Sequence, residues 1–174
     1  MYTVASVGSP PLSLADAKEH LRVLHTTDDD YITSLILAAT EWIEAQYDIA
    51  LRSKTVTQYY DGFDGDLILT LYPITSVTSV KYYDTDNAQQ TITDYTSDLV
   101  SRRGRIRVAS QPSLYDRPNA IEVVYVVGYA TTPEAIIHAI KLLIGDWYKD
   151  RERMPGNDKN RLLDTVEKLL HAYQ

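Results

Sequence analysis

Apolar positions recur at helical spacing at both ends of the chain and at a spacing of two in the middle. Leu14, Ala17, Leu21 and Leu24 predict a first helix over about 14–24, with Lys18, Glu19 and Arg22 on its wet side. Ser13 is placed to cap it, and Asp16 falls at the third helical position, where a carboxylate favours the free N–H groups and the helix dipole. A wider stripe of Ile32, Leu35, Ile36, Ala39, Trp42, Ile43 and Gln46 or Tyr47 predicts a second helix over about 29–47. Thr27 and Asp28 to Asp30 are its start signal. From Thr55 to Val127 the period becomes two. Runs at 55–59, 67–71, 77–83, 95–100, 105–108 and 121–127 read as strands, with breakers at Asp61-Gly62, Asp64-Gly65, Asp86-Asn87, Gly104 and Pro118-Asn119. After Gly128 the helical period returns. Thr132 caps, Pro133 takes the first helical position and Glu134 follows, so the apolar run 135–144 with Trp147 and Tyr148 predicts a helix to about Arg153. Pro155-Gly156 breaks it. Asn157 or Asp158 then opens a last helix with Leu162, Leu163, Val166, Leu169, Leu170 and Tyr173 as its stripe.

This order predicts an α+β fold. A helical bundle is built from the N- and C-terminal helices, with a mostly antiparallel β-module inserted. We read residues 1–174 as a single domain: 1–54 with the N-terminal helices, 55–130 as the β-module and 131–174 with the C-terminal helices. The lead up to Pro10-Pro11 reads as disordered.

Composition narrows the function more than the fold. A chain of 174 residues can bury roughly 70% of its unfolded surface and needs no covalent staples. The absence of cysteine excludes a disulfide framework and a thiolate metal site, and it fits assembly in a reducing cytoplasm. No signal-peptide pattern opens the chain, and no run of about 18 apolar residues points to a membrane. A net charge of −7 argues against a protein that grips nucleic acid, since such binding rests on neutralised phosphates. Tyrosine is frequent, 14 against a single Phe, which suits half-buried strands and interfaces.

Candidate chemistry is sparse. His20, His25, His138 and His171 make no metal-ligand spacing, and no phosphate-binding glycine loop or nucleophile elbow occurs. The three aspartates at 28–30 lack the alternating ligands and central Gly of a calcium loop and read as helix caps. In "YDGFDGD" (60–66), Asp61, Asp64 and Asp66 read as turn residues rather than paired acid–base groups. "SRRGRIR" (101–107) is the only dense basic patch. Arg102, Arg103, Arg105 and Arg107 either face an acidic partner or coat a solvated hairpin edge. With no convergent nucleophile, base and orienter, the expectation is an interaction protein, not an enzyme, with no cofactor and no metal.

Three ordered stretches resemble the long form of the phage head–tail connector (adaptor) family. They are "PLSLADAKEHLRV…DDDYITSLILAATEWIE", "LTLYPITSVTSVKYYDTDN" and "IEVVYVVGYATTPEAIIHAIKLLIGDWYKDRE". The matching positions are Pro11, Leu12, Leu14 and Ala17; Asp30, Ile32, Ile36, Ala39 and Ile43; Pro73, Ile74, Ser76, Val77, Ser79 and Val80; and Gly128, Tyr129, Pro133, Ala139, Trp147, Tyr148, Arg151 and Glu152. The resemblance implies a ring, commonly a dodecamer, in the virion neck. It would dock beneath the portal protein, extend the DNA channel and receive a stopper or the tail. The alternative within the same neck is a stopper or tail-completion protein. An acidic lumen would let packaged DNA pass without specific binding. Portal docking would fall to about 154–174. The expected interface residues are Arg102, Arg103, Arg105, Arg107, Trp147, Tyr148, Arg151, Arg153, Leu162, Leu163, Val166, Leu169, Leu170 and Tyr173.

Overall fold

A computed structural model describes residues 1–149 and 158–173. The chain divides into two compact units: residues 1–9 with 48–130, and residues 10–47 with 131–174. The first unit is all β, the second helical, so the α+β class is borne out.

The β unit holds strands β1 (Tyr2–Val7), β2 (Lys54–Tyr60), β3 (Leu67–Ile68), β4 (Ile74–Tyr83), β5 (Gln89–Ile92), β6 (Tyr95–Asp98), β7 (Arg105–Val108) and β8 (Ile121–Val127). Five of them form one antiparallel sheet in the order β1-β2-β8-β4-β5; the other three form a second in the order β3-β7-β6. Alternation decides which side chains go in. Along β8, Ile121, Val123, Tyr125 and Val127 are buried while the residues between them are half-exposed. Val56 and Val80 from the larger sheet join Leu67, Leu69, Ile106 and Val108 from the smaller segment in one core.

A buried amide ties that core together. Gln58 on β2 accepts from the Thr70 N–H (3.0 Å) and the Tyr125 hydroxyl (2.9 Å), and donates to the Ile68 carbonyl (2.9 Å). The segment after β3 is thus held by a side chain as well as by backbone bonds from the Leu69 N–H to the Gly104 carbonyl and from the Ala50 N–H to the Tyr72 carbonyl (both 2.7 Å). Burial pushes the Tyr125 phenol up to about 12, and it stays a neutral donor.

Two glycines are closely packed. Gly104 is buried, and a Cβ there would displace Ile74 Cδ1, the far end of a side chain. Gly128 has φ +125°, and a Cβ would sit 2.8 Å from the Arg52 carbonyl oxygen.

The helical unit holds α1 (Leu14–Leu21), α2 (Asp29–Tyr47), α3 (Glu134–Lys149) and α4 (Asp158–Leu170), followed by a 3-10 turn at His171–Tyr173. Helix α3 packs against α1, α2 and α4. The predicted stripes are the buried ones: Ile32, Leu35, Ile36, Ala39 and Ile43 on α2, and Ile136, Ala139, Ile140, Leu143 and Ile144 on α3. Ser13 caps α1 as expected, accepting from the Asp16 N–H (3.1 Å).

Several expectations change. The strand expected over 67–71 ends at Ile68, and the one expected over 77–83 begins at Ile74. The N-terminal lead is not disordered: it is β1, paired along β2. Helix α1 stops at Leu21, not Leu24. Arg22 is left-handed (φ 57°), its N–H donates to Glu19 and the Val23 N–H to Lys18, which closes the helix in a Schellman turn. The strand expected over 95–100 ends at Asp98, whose carboxylate accepts the Val100 and Ser101 N–H groups. Pro133 sits one position earlier than expected, its carbonyl accepting from Ile137 as the helix cap, and α3 begins at Glu134.

Candidate assembly interface

The residues expected to face a partner lie at three places. The first is the outer face and tip of the β6–β7 hairpin. Arg105 and Arg107 alternate with buried Ile106 and Val108, so both point outward. Neither is free. Arg107 makes a two-pronged bond to Asp66 (2.7 and 2.9 Å), and Arg105 reaches Asp98 (3.3 Å). The Arg107 hydrogen bond holds the Asp66 carboxyl below its ordinary value, and bonds from the Ser101 hydroxyl and N–H do the same for Asp98. Both carboxylates therefore stay charged until the pH falls through those lowered values. Half of the basic patch is a neutralised ladder.

The other half differs. Arg102 and Arg103 sit in the turn, both exposed. The Arg102 guanidinium lies over the Tyr72 ring, 5.2 Å from its centroid. The sequence did not place an aromatic beside these arginines, because Tyr72 is brought there from a distant segment. Together Arg102, Arg103, Tyr72, Asp48, Ile68, Leu69 and Thr70 rim a depression of about 280 Å³. Val100, at the same tip, is 100% exposed.

The second place is the end of α3. Trp147 and Tyr148 are half-buried. The Tyr148 hydroxyl donates to the Asp28 carboxylate, and its ring lies 6.1 Å from that of Tyr31. The Tyr31 hydroxyl donates to the Trp147 carbonyl (3.4 Å). Asp28 also opens α2, its carbonyl accepting from Ile32, and Asp29 pairs with Lys18 of α1. The aspartates read as caps therefore also join helices. Arg151 and Arg153 lie outside the described residues.

The third place is α4. Val166 and Leu170 are fully buried, Leu162, Leu169 and Tyr173 half-buried, and Leu163 is 36% exposed. Since α4 packs on α3, most of its apolar stripe is used within the unit. Leu163 remains outside, with Asp164 and Glu167 beside it, both exposed.

The acid-rich turn at 60–66 resolves into ties: Asp61 accepts the Asn119 N–H (2.7 Å), and Asp66 holds Arg107. Among the described residues, no group of three His, Asp or Glu side chains is arranged to hold a metal ion, and no helix is long and apolar enough to cross a membrane.

A family model described as "Head completion protein" matches residues 12–155, and the chain belongs to that family. The resemblance to head–tail connectors is borne out at this level. No curated protein matches the sequence. Among solved structures, a chain of the virion of the native gene transfer agent (GTA) particle is 18% identical, with a TM-score of 0.80 over 97% of this chain and 94% of that one. Chains from the neck of the empty GTA particle computed with C6 symmetry (19% identical, TM-score 0.75, 97% and 94% covered) and from the neck of the native particle computed with C12 symmetry (17%, 0.73, 99% and 94%) are also similar. At these identities the likeness is one of fold.

Proposed function

We propose that this member of the head completion protein family is a structural component of a virion neck: an adaptor ring beneath the portal that extends the DNA channel and joins the head to a stopper or tail. The family match over 12–155 carries the reading. The fold shared with a neck computed with C12 symmetry supports repetition around an axis, with a dodecamer as the expected copy number. The acidic balance supports DNA passage without grip, since a net charge of −7 per copy repels phosphates. Neighbours in a ring meet through two different faces, and the exposed arginines of the hairpin tip and the free side of α4 supply two such faces. The role is mechanical, not catalytic.

Sedimentation of the chain alone and with purified portal tests this. The expected outcome is a ring, either alone or on the portal. A chain that ignores the portal but joins a completed adaptor–portal assembly would favour the stopper or tail-completion role instead. No association with self or with any neck component would overturn both.

A further inference from the structure

The four arginines of the β6–β7 hairpin have two different fates. Arg105 and Arg107 are compensated within the chain by Asp98 and Asp66. Arg102 and Arg103 have no such carboxylate among the described residues: the depression they rim holds one acid, Asp48, against two guanidiniums, and no ion pair joins them to it there. Arg102 is also pre-organised, because its stacking on Tyr72 removes freedom that a partner would otherwise have to freeze out. Beside them Val100 is wholly in solvent, an apolar side chain on a tip that covers nothing. An exposed apolar anchor flanked by uncompensated arginines is the composition of an interface centre rather than of a solubilising turn.

The complementary composition occurs on the same chain. On α4, Leu163 is exposed, Glu167 lies one turn further along the same face, and Asp164 is adjacent. The Asp164 and Glu167 carboxylates make no hydrogen bond or ion pair among the described residues. One apolar position and two exposed acids on this face match one apolar position and two exposed arginines on the hairpin tip.

We infer that the hairpin tip of one copy docks on α4 of the next. Val100 meets Leu163, and Arg102 and Arg103 meet Asp164 and Glu167. The two surfaces differ, so the contact is heterologous and propagates from copy to copy, as a closed ring requires; it uses up both charge sets, leaving neither free for a like-faced pairing. This assignment rests on the ring reading above and makes it specific to four charged side chains.

The test is charge exchange in the full-length chain, scored by ring formation on the portal. Arg102→Glu with Arg103→Glu should lower the ring fraction at least about tenfold, roughly 1.4 kcal/mol or more per contact, and so should Asp164→Arg with Glu167→Arg. Combining all four substitutions should restore the ring. Urea unfolding of each monomer should match the parent, because exposed charges add little stability. In addition, Val100→Cys and Leu163→Cys together should give covalent ladders of copies on oxidation, and neither alone should. Rings that form normally with either reversed pair would overturn the docking while leaving the ring reading intact. Loss with either pair but no restoration in the combination would assign these residues to the portal or another protein and also overturn it. A parent chain that forms no ring at all would remove the ring reading and this assignment together.

Discussion

Gln58 shows how much a single side chain can organise. Its amide meets one hydroxyl, one N–H and one carbonyl in a site where water is excluded. Replacing it with leucine takes the side-chain acceptor from the Thr70 N–H and from the buried Tyr125 hydroxyl, while the Ile68 carbonyl keeps its bond from the Tyr60 hydroxyl (2.6 Å). Each buried group so orphaned costs about 1–3 kcal/mol. Gln58→Leu is expected to lower the urea midpoint of the chain clearly at unchanged slope; an unchanged midpoint would mean that the tie contributes nothing. Alternation puts Gln58 on the same face as Val56, which is buried, but its partners were not legible because Ile68, Thr70 and Tyr125 lie on other segments. The arginines teach the same lesson. Their outward direction at 105 and 107 was legible from alternation with Ile106 and Val108, but their partners were not, because Asp66 lies 41 residues away in sequence.

At the scale of elements, the order of helices and strands was legible wherever an apolar period ran for several turns, as in α2, α3 and β8. The errors fall where a local device replaces that period. The described side chains of strand β1 are exposed, with Tyr2, Val4 and Val7 respectively 41%, 41% and 51% exposed, so burial leaves no alternating imprint on them. Strand β5, Gln89–Ile92, has a single buried apolar residue. It is set instead by its turn, where the Asp84 carboxylate accepts from the Asp86 and Ala88 N–H groups and from the Gln90 amide. Helix α1 ends on a left-handed arginine, a position where glycine would have announced the stop. Helix α3 is bound to α2 at its far end by the bond from Tyr148 to Asp28. Tyr148→Phe keeps the ring beside Tyr31 and removes that bond, so a loss of about 1–2 kcal/mol is expected from thermal melting. The loss should vanish when Asp28 is already Ala, which a double-mutant cycle would measure.

For the whole molecule, the chain passes between the two units three times, after Ser9, after Tyr47 and after Ala130. Two late-made elements hold central places. Strand β8 is the final strand in sequence yet lies between β2 and β4, and α3, which follows it, is the helix that touches the other three. A chain ending at Ala120 would lack both. It is expected to show no cooperative unfolding in urea and no persistent helix signal by circular dichroism. A sharp transition in that fragment would show that one unit closes without its centre.

The central position of β8 matters during synthesis. Until residue 127 has left the ribosome, β2 and β4 each have a bare long side, and the sheet can be completed only from the middle, at the end. A nascent or prematurely terminated chain therefore cannot pass as a finished building block. In the proposed ring, late closure would act as quality control: a chain that stops before β8 would offer a neighbour no finished sheet.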